Sequence, residues 1–348
     1  MKRERLQDIL NRFSSRRIAV IGDFFLDKYL EFDPAIDDIS IETGKTAHQV
    51  VRVRHSPGAA GNVVKNLISL GAGQVIPIGF TGDDGEGFEL RKDLKALGCH
   101  DDRMLLEPKR HTPTYLKPQN ILVAGIAGEL DRFDTKNRQA LPSTVEKGII
   151  NCLRDTIVKV DAVIIADQIE SDEEDLGVIT RAVRAALETQ AKENPNVVFW
   201  VDSRRRMGKF TGMILKPNKE EAVRAIMPEY LGEIEDDLTL KAGFALHKKS
   251  GKPIFLTRSE HGMFVFDDQG VCPVPGVKVE GPIDPTGAGD SATAGAVLSL
   301  ASGAANSEAA LVANLVGSIT VKCLGETGSA SQEQVLARLP LWLDCNKG

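Results

Sequence analysis

Short apolar runs rich in β-branched residues alternate with segments of helical periodicity along most of the chain. Five runs have the length and composition of buried strands, at residues 17–21, 75–79, 162–166, 197–201 and 254–257. Apolar residues at helical spacing are found at residues 61–70, 86–97, 173–188 and 309–323. Strands that alternate with helices predict an α/β fold with a doubly wound, mostly parallel sheet flanked by helices.

Two stretches interrupt this alternation, at residues 29–56 and 110–135. They lack helical periodicity, contain β-branched and aromatic residues, and alternate locally between apolar and polar side chains, as at 50–54. We expect them to form antiparallel strands outside the main sheet. Two long surface loops are the alternative, although loops of this length are uncommon in compact domains.

Polar residues stand where several predicted strands end. Asp23, Asp167 and Asp202 follow apolar runs directly, and Thr257 ends another. In a doubly wound sheet, ligands bind beyond the carboxyl ends of the strands, so these side chains predict a shared cleft. Each aspartate alone could instead cap the helix that follows it.

The composition is that of a globular protein: 348 residues, 42% hydrophobic and 26% charged. This length suits one domain over residues 1–348. A formal net charge of −6, without a basic segment interleaved with aromatics, argues against a nucleic-acid partner. No apolar run reaches the roughly eighteen residues that a membrane span needs. Residues 1–17 are basic, but Glu4 and Asp8 favour a packed leading helix over a transit peptide.

The cysteines and histidines predict neither disulfides nor a metal centre. Five cysteines are widely spaced and never form a CxxC pair, which makes the cytosol the expected compartment. The six histidines form no HxH or HExxH cluster, so surface or core positions are favoured over metal ligation.

A glycine-rich turn at residues 281–290 precedes a helix of small residues. Backbone N–H groups of Gly287, Ala288 and Gly289 at a helix start would form an anion-binding hole. Asp290 follows at once and would repel an anion unless a hydroxyl lay between them, so it is the candidate general base. Phosphoryl transfer uses this combination, whereas the simpler alternative is an acidic residue favoured by the helix dipole.

The string D-x-x-GAGD at 284–290, followed by a small-residue helix, resembles the second signature of the ribokinase-like (PfkB) carbohydrate kinases. This resemblance covers nearly the whole chain and implies an ATP-dependent kinase that uses Mg²⁺ and acts on a sugar or sugar phosphate. It also implies that the segments 29–56 and 110–135 form a small β-lid through which two subunits form a homodimer. It leaves open activation by a monovalent cation such as K⁺.

Two further motifs are similar to those of the D-glycero-D-manno-heptose 7-phosphate kinases in this family. They are G-D-x-x-L-D-x-Y at 22–29 and the Pro-Gly-rich segment at 56–63, where Ala59 stands in place of a second glycine. The resemblance implies that the substrate is bound by Asp23, Asp27, Gly58, Asn62 and Asp167, and Arg204 is a further candidate for binding it. A carboxylate and an amide together can recognise a sugar diol through directed hydrogen bonds.

Arg204 belongs to the run Asp-Ser-Arg-Arg-Arg at 202–206, which stands where the heptose kinases have a D-P-K-G-like segment. Arginine suits bidentate recognition of phosphate. A solvated charge run is the alternative interpretation.

Three other matches to the family imply which residues bind the nucleotide and its magnesium ion. Asn218 and Glu221 form the N-x-x-E motif, which holds magnesium through water in the family, although an Asn cap with a Glu on its helix has the same spacing. Thr257, Arg258 and Gly262 match the T-R-x-x-x-G turn along the nucleotide phosphates. Asn314 corresponds to an asparagine near the adenine, and would otherwise be a helix-surface amide.

The resulting hypothesis is a kinase with D-glycero-β-D-manno-heptose 7-phosphate as the best substrate, phosphorylated at O1. Relatives often carry a second, nucleotidyltransferase domain; without an H-x-G-H motif in this sequence, only the kinase step is expected. Alternatives are a ribokinase-, fructokinase- or nucleoside-type kinase, or a non-catalytic sugar-binding regulator on the same fold. A Rossmann dehydrogenase is disfavoured because the first strand leads into Gly22-Asp23 and not into a GxGxxG turn.

Overall fold

The computed structural model describes residues 1–123, 125–325 and 327–345. Residue 124 of the second predicted lid segment, and residues 326 and 346–348 of the predicted domain, lie outside this description. The strands are β1 (Arg17–Gly22), β2 (Phe24–Phe32), β3 (Asp38–Ile39), β4 (Thr46–Ala47), β5 (Val50–Ala59), β6 (Gln74–Thr81), β7 (Met104–Leu106), β8 (Thr114–Asn120), β9 (Phe133–Thr135), β10 (Ala162–Asp167), β11 (Val198–Ser203), β12 (Ile214–Leu215), β13 (Ile254–Thr257), β14 (Met263–Asp267) and β15 (Gly270–Val274). The helices are α1 (Arg3–Asn11), α2 (Ala60–Ser69), α3 (Gly85–Ala96), α4 (Ser143–Ile157), α5 (Arg181–Glu193), α6 (Lys219–Ile226), α7 (Asp236–Ser250), α8 (Ala288–Ala301), α9 (Asn306–Thr320) and α10 (Gln332–Cys345).

Nine of the described strands form one sheet in the order β15-β14-β13-β12-β11-β10-β1-β6-β7. The strands from β13 through β1 to β7 run parallel, and the hairpin β14–β15 joins one edge in antiparallel fashion. The predicted α/β class with a mostly parallel, doubly wound sheet is therefore confirmed. Parallel strands need crossover connections, which the predicted helices α2, α3 and α5 supply together with α4 and α7, which the periodicity did not predict.

Alternate residues of the central strands pack on opposite faces of this sheet. Ile18 and Val20 of β1 belong to one apolar core, whereas Ala19 and Ile21 belong to the other. The leading helix α1 packs into the first core through Leu6, as the sequence predicted. Because both faces of the sheet are covered, the strands are continuous apolar runs in the sequence, and polar residues lie at the strand ends.

A second sheet, the lid sheet, consists of β5, β2, β8 and β9 in that order. β2 pairs antiparallel with β5, and β8 pairs antiparallel with β9. The expectation of antiparallel strands is wrong for β2 and β8, which run parallel. Both strands enter the lid sheet at the same end, with Leu26 opposite Thr114, so they must share one direction.

The helix predicted at 173–188 begins only at Arg181. Thr180 caps it by accepting a hydrogen bond from the amide of Val183 at 3.1 Å. The preceding residues form a loop at 168–178, whose two ends donate their amides to the carboxylate of Asp23. Asp175 within this loop has a φ of 72°. Tertiary hydrogen bonds to a residue far away in the sequence thus outweigh the local helical pattern.

None of the helices in the described part of the chain has the length and apolar character needed to cross a membrane.

Candidate active site

A tight glycine turn leads into α8 and is fixed from both sides. The buried carboxylate of Asp284 accepts the amide of Thr286 at 2.9 Å and that of Gly325 at 3.0 Å. Gly287 has a φ of +76°, and a Cβ there would lie 2.6 Å from Nδ2 of Asn62. Only glycine combines this left-handed conformation with so close a neighbour.

The start of α8 has the character of an anion site. Gly289 lies exposed in its first turn, and a Cβ there would come to 3.5 Å from Nζ of Lys216. An ammonium beside a helix N-terminus favours negative charge, because the helix dipole and the cation act in the same direction. The amide of Ala288 already donates to the carbonyl of Pro285 at 3.0 Å. Of the three predicted anion-hole amides, those of Gly287 and Gly289 are therefore the better candidates.

Asp290 is held by the first turn of another helix. Its Oδ2 accepts a hydrogen bond of 2.7 Å from Nδ2 of Asn62, a residue of α2 that is only 1% exposed. Burial, with the nearby carboxylate of Asp202, raises the pKa of Asp290 to about 6. A fixed carboxylate with this pKa is ionised at neutral pH and still basic enough to accept a proton.

Acidic groups at strand ends and helix starts surround Lys216. Lys216, 5% exposed, forms an ion pair of 3.0 Å with Asp202. Burial opposes the charge on Lys216, but Asp202 and Glu221 together hold its pKa above the usual value. Burial and the charge of Asp202 raise the pKa of Glu221 to about 7. Three carboxylates, those of Asp202, Glu221 and Asp290, thus face two cations, Lys216 and Arg204, and a cation brought by a ligand would relieve the excess.

Asn218 and Glu221 close a capping box at the start of α6. The amide of Glu221 donates to Oδ1 of Asn218 at 2.7 Å, and the amide of Asn218 donates to Oε2 of Glu221 at 2.8 Å. Within the described residues, no three His, Cys, Asp or Glu side chains are grouped to hold a metal ion by themselves. A hydrated ion here would take its remaining ligands from water and from a bound phosphate chain.

Asp27 and Gly58 meet at the base of the lid sheet. A Cβ on Gly58 would lie 2.7 Å from Oδ2 of Asp27, so a glycine is required for this approach. The other oxygen, Oδ1, forms an ion pair of 3.2 Å with Lys117. Four residues further along, Asn62 contacts Asp290, and four residues span at most about 14 Å. The segment from Gly58 to Asn62 therefore brings Asp27 and Asp290 into the same region of the molecule.

Arg204 lies close to the acidic groups around Lys216. Its Nε donates to Oε1 of Gln168 at 2.8 Å. Burial lowers the pKa of Arg204, but the carboxylates of Asp202 and Asp290 hold it above its usual value. The guanidinium therefore acts near Asp290, and not at a remote part of the cleft.

The predicted nucleotide residues form a neighbouring group. Thr257 donates its amide to Pro217, which places the T-R turn beside the N-x-x-E motif. Gly262 has a φ of +84°, and any side chain there would overlap the carbonyl of Val274. Asn314 donates to the carbonyls of Val274 and Pro275 at 3.0 Å each. Arg258 binds Asp236 at 2.8 Å and stacks on the ring of Phe264.

Residues 155–333 match the model of the pfkB family carbohydrate kinases. The chain belongs to the PfkB family. It is 30% identical over 347 residues to the bifunctional protein HldE of Trichlorobacter lovleyi, covering 98% of this chain and 66% of that relative. Phosphofructokinase-2 from Escherichia coli has the same fold, with a TM-score of 0.66 at 15% identity over 94% of this chain and 99% of the other. Ribokinase from Arabidopsis thaliana has a TM-score of 0.66 at 16% identity over 93% of this chain and 98% of the other.

As a PfkB member, the protein is an ATP-dependent carbohydrate kinase that binds a sugar substrate and ATP. This confirms the predicted reaction class. The roles of the individual site residues stay predictions. For two of the predicted substrate-binding residues, Asp23 and Asp167, the carboxylates already have partners within the protein.

Asp23 is buried in this PfkB kinase, and its carboxylate accepts hydrogen bonds from the backbone. It accepts the amides of Gln168 at 3.0 Å and Val178 at 2.7 Å, and burial followed by the charge of Asp167 raises its pKa to about 6. Asp23 therefore fixes the loop at 168–178, next to the side chain that holds Arg204. Any contact of Asp23 with sugar would be additional to this structural role.

Asp167 forms an ion pair with Arg206, and both side chains are 1% exposed. The hydroxyl of Ser203 donates to the same carboxylate at 2.6 Å. Burial raises the pKa of Asp167, while Arg206 opposes that rise. The carboxylate predicted to bind substrate thus has protein partners on both oxygens.

Lys216 and Arg206 are the functional neighbours that the sequence interpretation missed. Lys216 stands two residues before the N-x-x-E motif and follows the end of β12, where a cation would enter the cleft. That position was the available signal for Lys216. Arg206 gave no such signal, because its run of three arginines is indistinguishable in sequence from a solvated segment.

Proposed function

We propose that this PfkB kinase phosphorylates D-glycero-β-D-manno-heptose 7-phosphate at O1. The observation that carries the phosphotransfer is the contact of Asp290 with Asn62 beside the glycine turn and Lys216. The choice of sugar is supported by the resemblance of residues 22–29 and 56–63 to the heptose 7-phosphate kinases. The chain spans 66% of the length of the HldE relatives, so their activity as whole proteins is not carried over.

In the proposed reaction, a hydroxyl oxygen of the sugar attacks the γ-phosphorus of ATP. The new O–P bond forms as the bond to the β,γ-bridging oxygen breaks, and ADP leaves with that electron pair. Asp290 accepts the hydroxyl proton, which its pKa of about 6 allows at neutral pH. The amides of Gly287 and Gly289, with Lys216, would stabilise charge on the transferring phosphoryl group.

Mg²⁺ is the proposed cofactor, held through water by Asn218 and Glu221. It would neutralise phosphate charge during the transfer. The residues fit this ion, since Asn218 and Glu221 offer side-chain oxygens, which suit a hard, hydrated cation.

Glu221→Gln is expected to raise the Mg²⁺ concentration needed for half-maximal rate and to lower kcat. The amide keeps the shape of the side chain but removes the charge that orients the water ligands of the ion. The measurement is a magnesium titration at saturating ATP. Glu220→Gln, one residue earlier on α6 and outside the capping box, is the matched control. An unchanged magnesium dependence would reduce Glu221 to a helix cap.

The substrate proposal is tested by measuring ATP consumption over a panel of sugars and sugar phosphates. We expect the highest kcat/KM for the heptose 7-phosphate, with the product phosphorylated at O1. The second candidate is a ribokinase- or fructokinase-type activity, favoured by the fold shared with ribokinase. Equal use of neutral pentoses or hexoses would select that candidate and reject the heptose phosphate.

A homodimer through the lid is also proposed, because one face of the lid sheet exposes apolar side chains. Val53 is 50% and Phe133 is 65% exposed. Val53 pairs with Leu30, and Phe133 pairs with Leu116, which in turn pairs with Lys28. Leu30 and Lys28 are two residues apart on β2, so Val53 and Phe133 lie on the same face. An apolar face of this kind marks an interaction surface.

Val53→Glu with Phe133→Glu is expected to give a monomer where the wild type is a dimer, because two charges would be buried without partners. Light scattering during size-exclusion chromatography measures the mass. Val158→Glu, at an exposed apolar position on the main domain, is the control. A wild type that is monomeric at micromolar concentration contradicts the proposal.

Two further proposals need separate tests. Activation by K⁺ would appear as a higher kcat in potassium than in sodium buffers. A cytosolic location rests on cysteine usage, and the four cysteines whose side chains are described are free thiols.

A further inference from the structure

Gln168 and Arg204 follow the carboxyl ends of two neighbouring parallel strands, β10 and β11. Asp167 lies opposite Ser203 in the ladder between these strands. Gln168 and Arg204 are the next residues of the two strands, and the amide of Arg204 donates to the carbonyl of Asp167 at 3.1 Å. Nε of Arg204 then donates to Oε1 of Gln168 at 2.8 Å. The main chain and the side chain of Arg204 are thus both held by the end of β10.

Gln168 is itself fixed in place. It is 6% exposed, and its backbone amide donates to Oδ2 of Asp23 at 3.0 Å. Asp23 also accepts the amide of Val178 at 2.7 Å, which ties down the other end of the loop at 168–178. A buried side chain on a fixed backbone has little rotamer freedom. Gln168 therefore restricts the orientation of the Arg204 guanidinium.

The surroundings of Arg204 connect it to the start of α8. Asp202, two residues earlier on β11, forms the 3.0 Å ion pair with Lys216. The hydroxyl of Thr293 donates to Oδ2 of Asp202 at 3.4 Å, and Thr293 lies three residues after Asp290, next to it on the helix surface. Burial alone would lower the pKa of Arg204, but the carboxylates of Asp202 and Asp290 raise it. The guanidinium is therefore within electrostatic reach of Asp290.

Two of the three guanidinium nitrogens of Arg204 are left for a ligand. Nε is bound to Gln168, whereas Nη1 and Nη2 have no hydrogen-bond or ion-pair partner in the part of the chain that the structure describes. Arg206 differs, because its Nε and Nη2 both bind Asp167. Parallel N–H donors of a guanidinium match two oxygens of a phosphoryl group. Arg204 can therefore bind phosphate, and Arg206 is already occupied.

The phosphoryl group passes close to Asp290 during transfer, and its charge is then spread over three equatorial oxygens. Lys216 approaches this place from the end of β12, and Arg204 from the end of β11. We propose that the terminal nitrogens of Arg204 bind the phosphoryl group during its transfer, and that Gln168 is the positioning residue that orients them. The proposal rests on the proposed function, with Asp290 as the base, and holds for any acceptor sugar.

A double-mutant cycle in kcat tests the pair. Arg204→Met is expected to lower kcat by about 10²- to 10³-fold, the usual loss when one donor to developing charge is removed. Gln168→Met should lower kcat by about tenfold, as for the loss of a hydrogen bond to a charged group. Added to Arg204→Met, the change Gln168→Met should cause no further loss, because no guanidinium remains to be oriented. The KM values for ATP and for the sugar should stay within about threefold of the wild type, because the contact serves the transition state.

Binding of a transition-state mimic gives a second readout. ADP, Mg²⁺ and aluminium fluoride with the acceptor sugar imitate the planar phosphoryl group. Calorimetry should show this complex weakened in Arg204→Met by about the same factor as kcat, at unchanged affinity for ATP. Arg205→Met is the matched control, an exposed arginine next in the chain, and should change neither quantity.

Chemical rescue separates loss of the guanidinium from loss of folding. Guanidinium ion added to Arg204→Ala, whose shorter side chain leaves space, should restore part of kcat. The same addition should not raise kcat in the wild type or in Arg205→Ala. Failure of guanidinium to restore any activity, together with full binding of the aluminium fluoride complex by Arg204→Met, overturns the role of Arg204.

Two other results contradict the proposal. Equal losses of kcat from Gln168→Met with and without Arg204 would exclude Gln168 as its positioning residue. A higher KM for a sugar phosphate alone, at unchanged kcat, in Arg204→Met would assign Arg204 to the phosphate that the acceptor already carries. The cycle is measured with the best acceptor of the sugar panel. If that acceptor is not the heptose 7-phosphate, the proposed substrate is rejected, and the cycle with the actual acceptor still decides the roles of Gln168 and Arg204.

Discussion

Asp290→Asn is expected to lower kcat by about two to four orders of magnitude, the usual loss when a general base is removed. Asparagine keeps the size of the side chain and can still contact Asn62, which donates to Asp290 at 2.7 Å. The turn at Gly287 is untouched, so the affinity for ATP should remain close to that of the wild type. Steady-state kinetics and nucleotide titration measure the two quantities separately.

The pH profile gives an independent readout of the same group. Asp290 must be ionised to accept a proton, and its pKa lies at about 6. In the wild type, kcat/KM should therefore fall as the pH is lowered through about 6. The residual activity of Asp290→Asn should lack this acid limb. A variant with near-normal kcat, or with the limb preserved, would exclude Asp290 as the base.

Arg206→Met is expected to destabilise the protein by about 3–5 kcal/mol, the typical cost of leaving a buried charge without its partner. Asp167 and Arg206 are each 1% exposed, so water cannot replace the missing guanidinium. Equilibrium unfolding in urea measures the change.

The direction in which this loss of stability changes with pH follows from Asp167. Burial raises its folded pKa above the unfolded value, and the loss of Arg206 removes the interaction that opposes this rise. The deficit of the variant should therefore shrink as the pH falls and Asp167 takes up a proton. Adding Asp167→Leu to Arg206→Met should recover most of the stability. If the single variant unfolds at the same urea concentration as the wild type, the ion pair does not stabilise the fold.

The positions of secondary structure followed from the sequence where local pattern and tertiary packing agree. β13 has its predicted limits, and α2 and α3 differ from theirs by one residue at each end. The exception is the stretch at 173–180, whose residues have helical spacing but lie in a loop. The amides of Gln168 and Val178 bind Asp23, 145 or more residues earlier in the chain. No local pattern carries information about so distant a partner.

The fold class and the reaction follow from residue order, because both depend on local features. Apolar periodicity fixes which residues face a core, and the glycine turn before Asp290 needs its residue types within a single stretch of chain. Which charged side chains meet depends instead on how the elements pack. Asp23, Asp167 and Asp202 have the same sequence pattern, yet each has a different partner: backbone amides of a distant loop for Asp23, Arg206 for Asp167 and Lys216 for Asp202. The lid sheet likewise joins Lys117 to Tyr29 across 88 residues of chain. The physical reason is that ion pairing and burial depend on separation in space, which residue order alone does not specify.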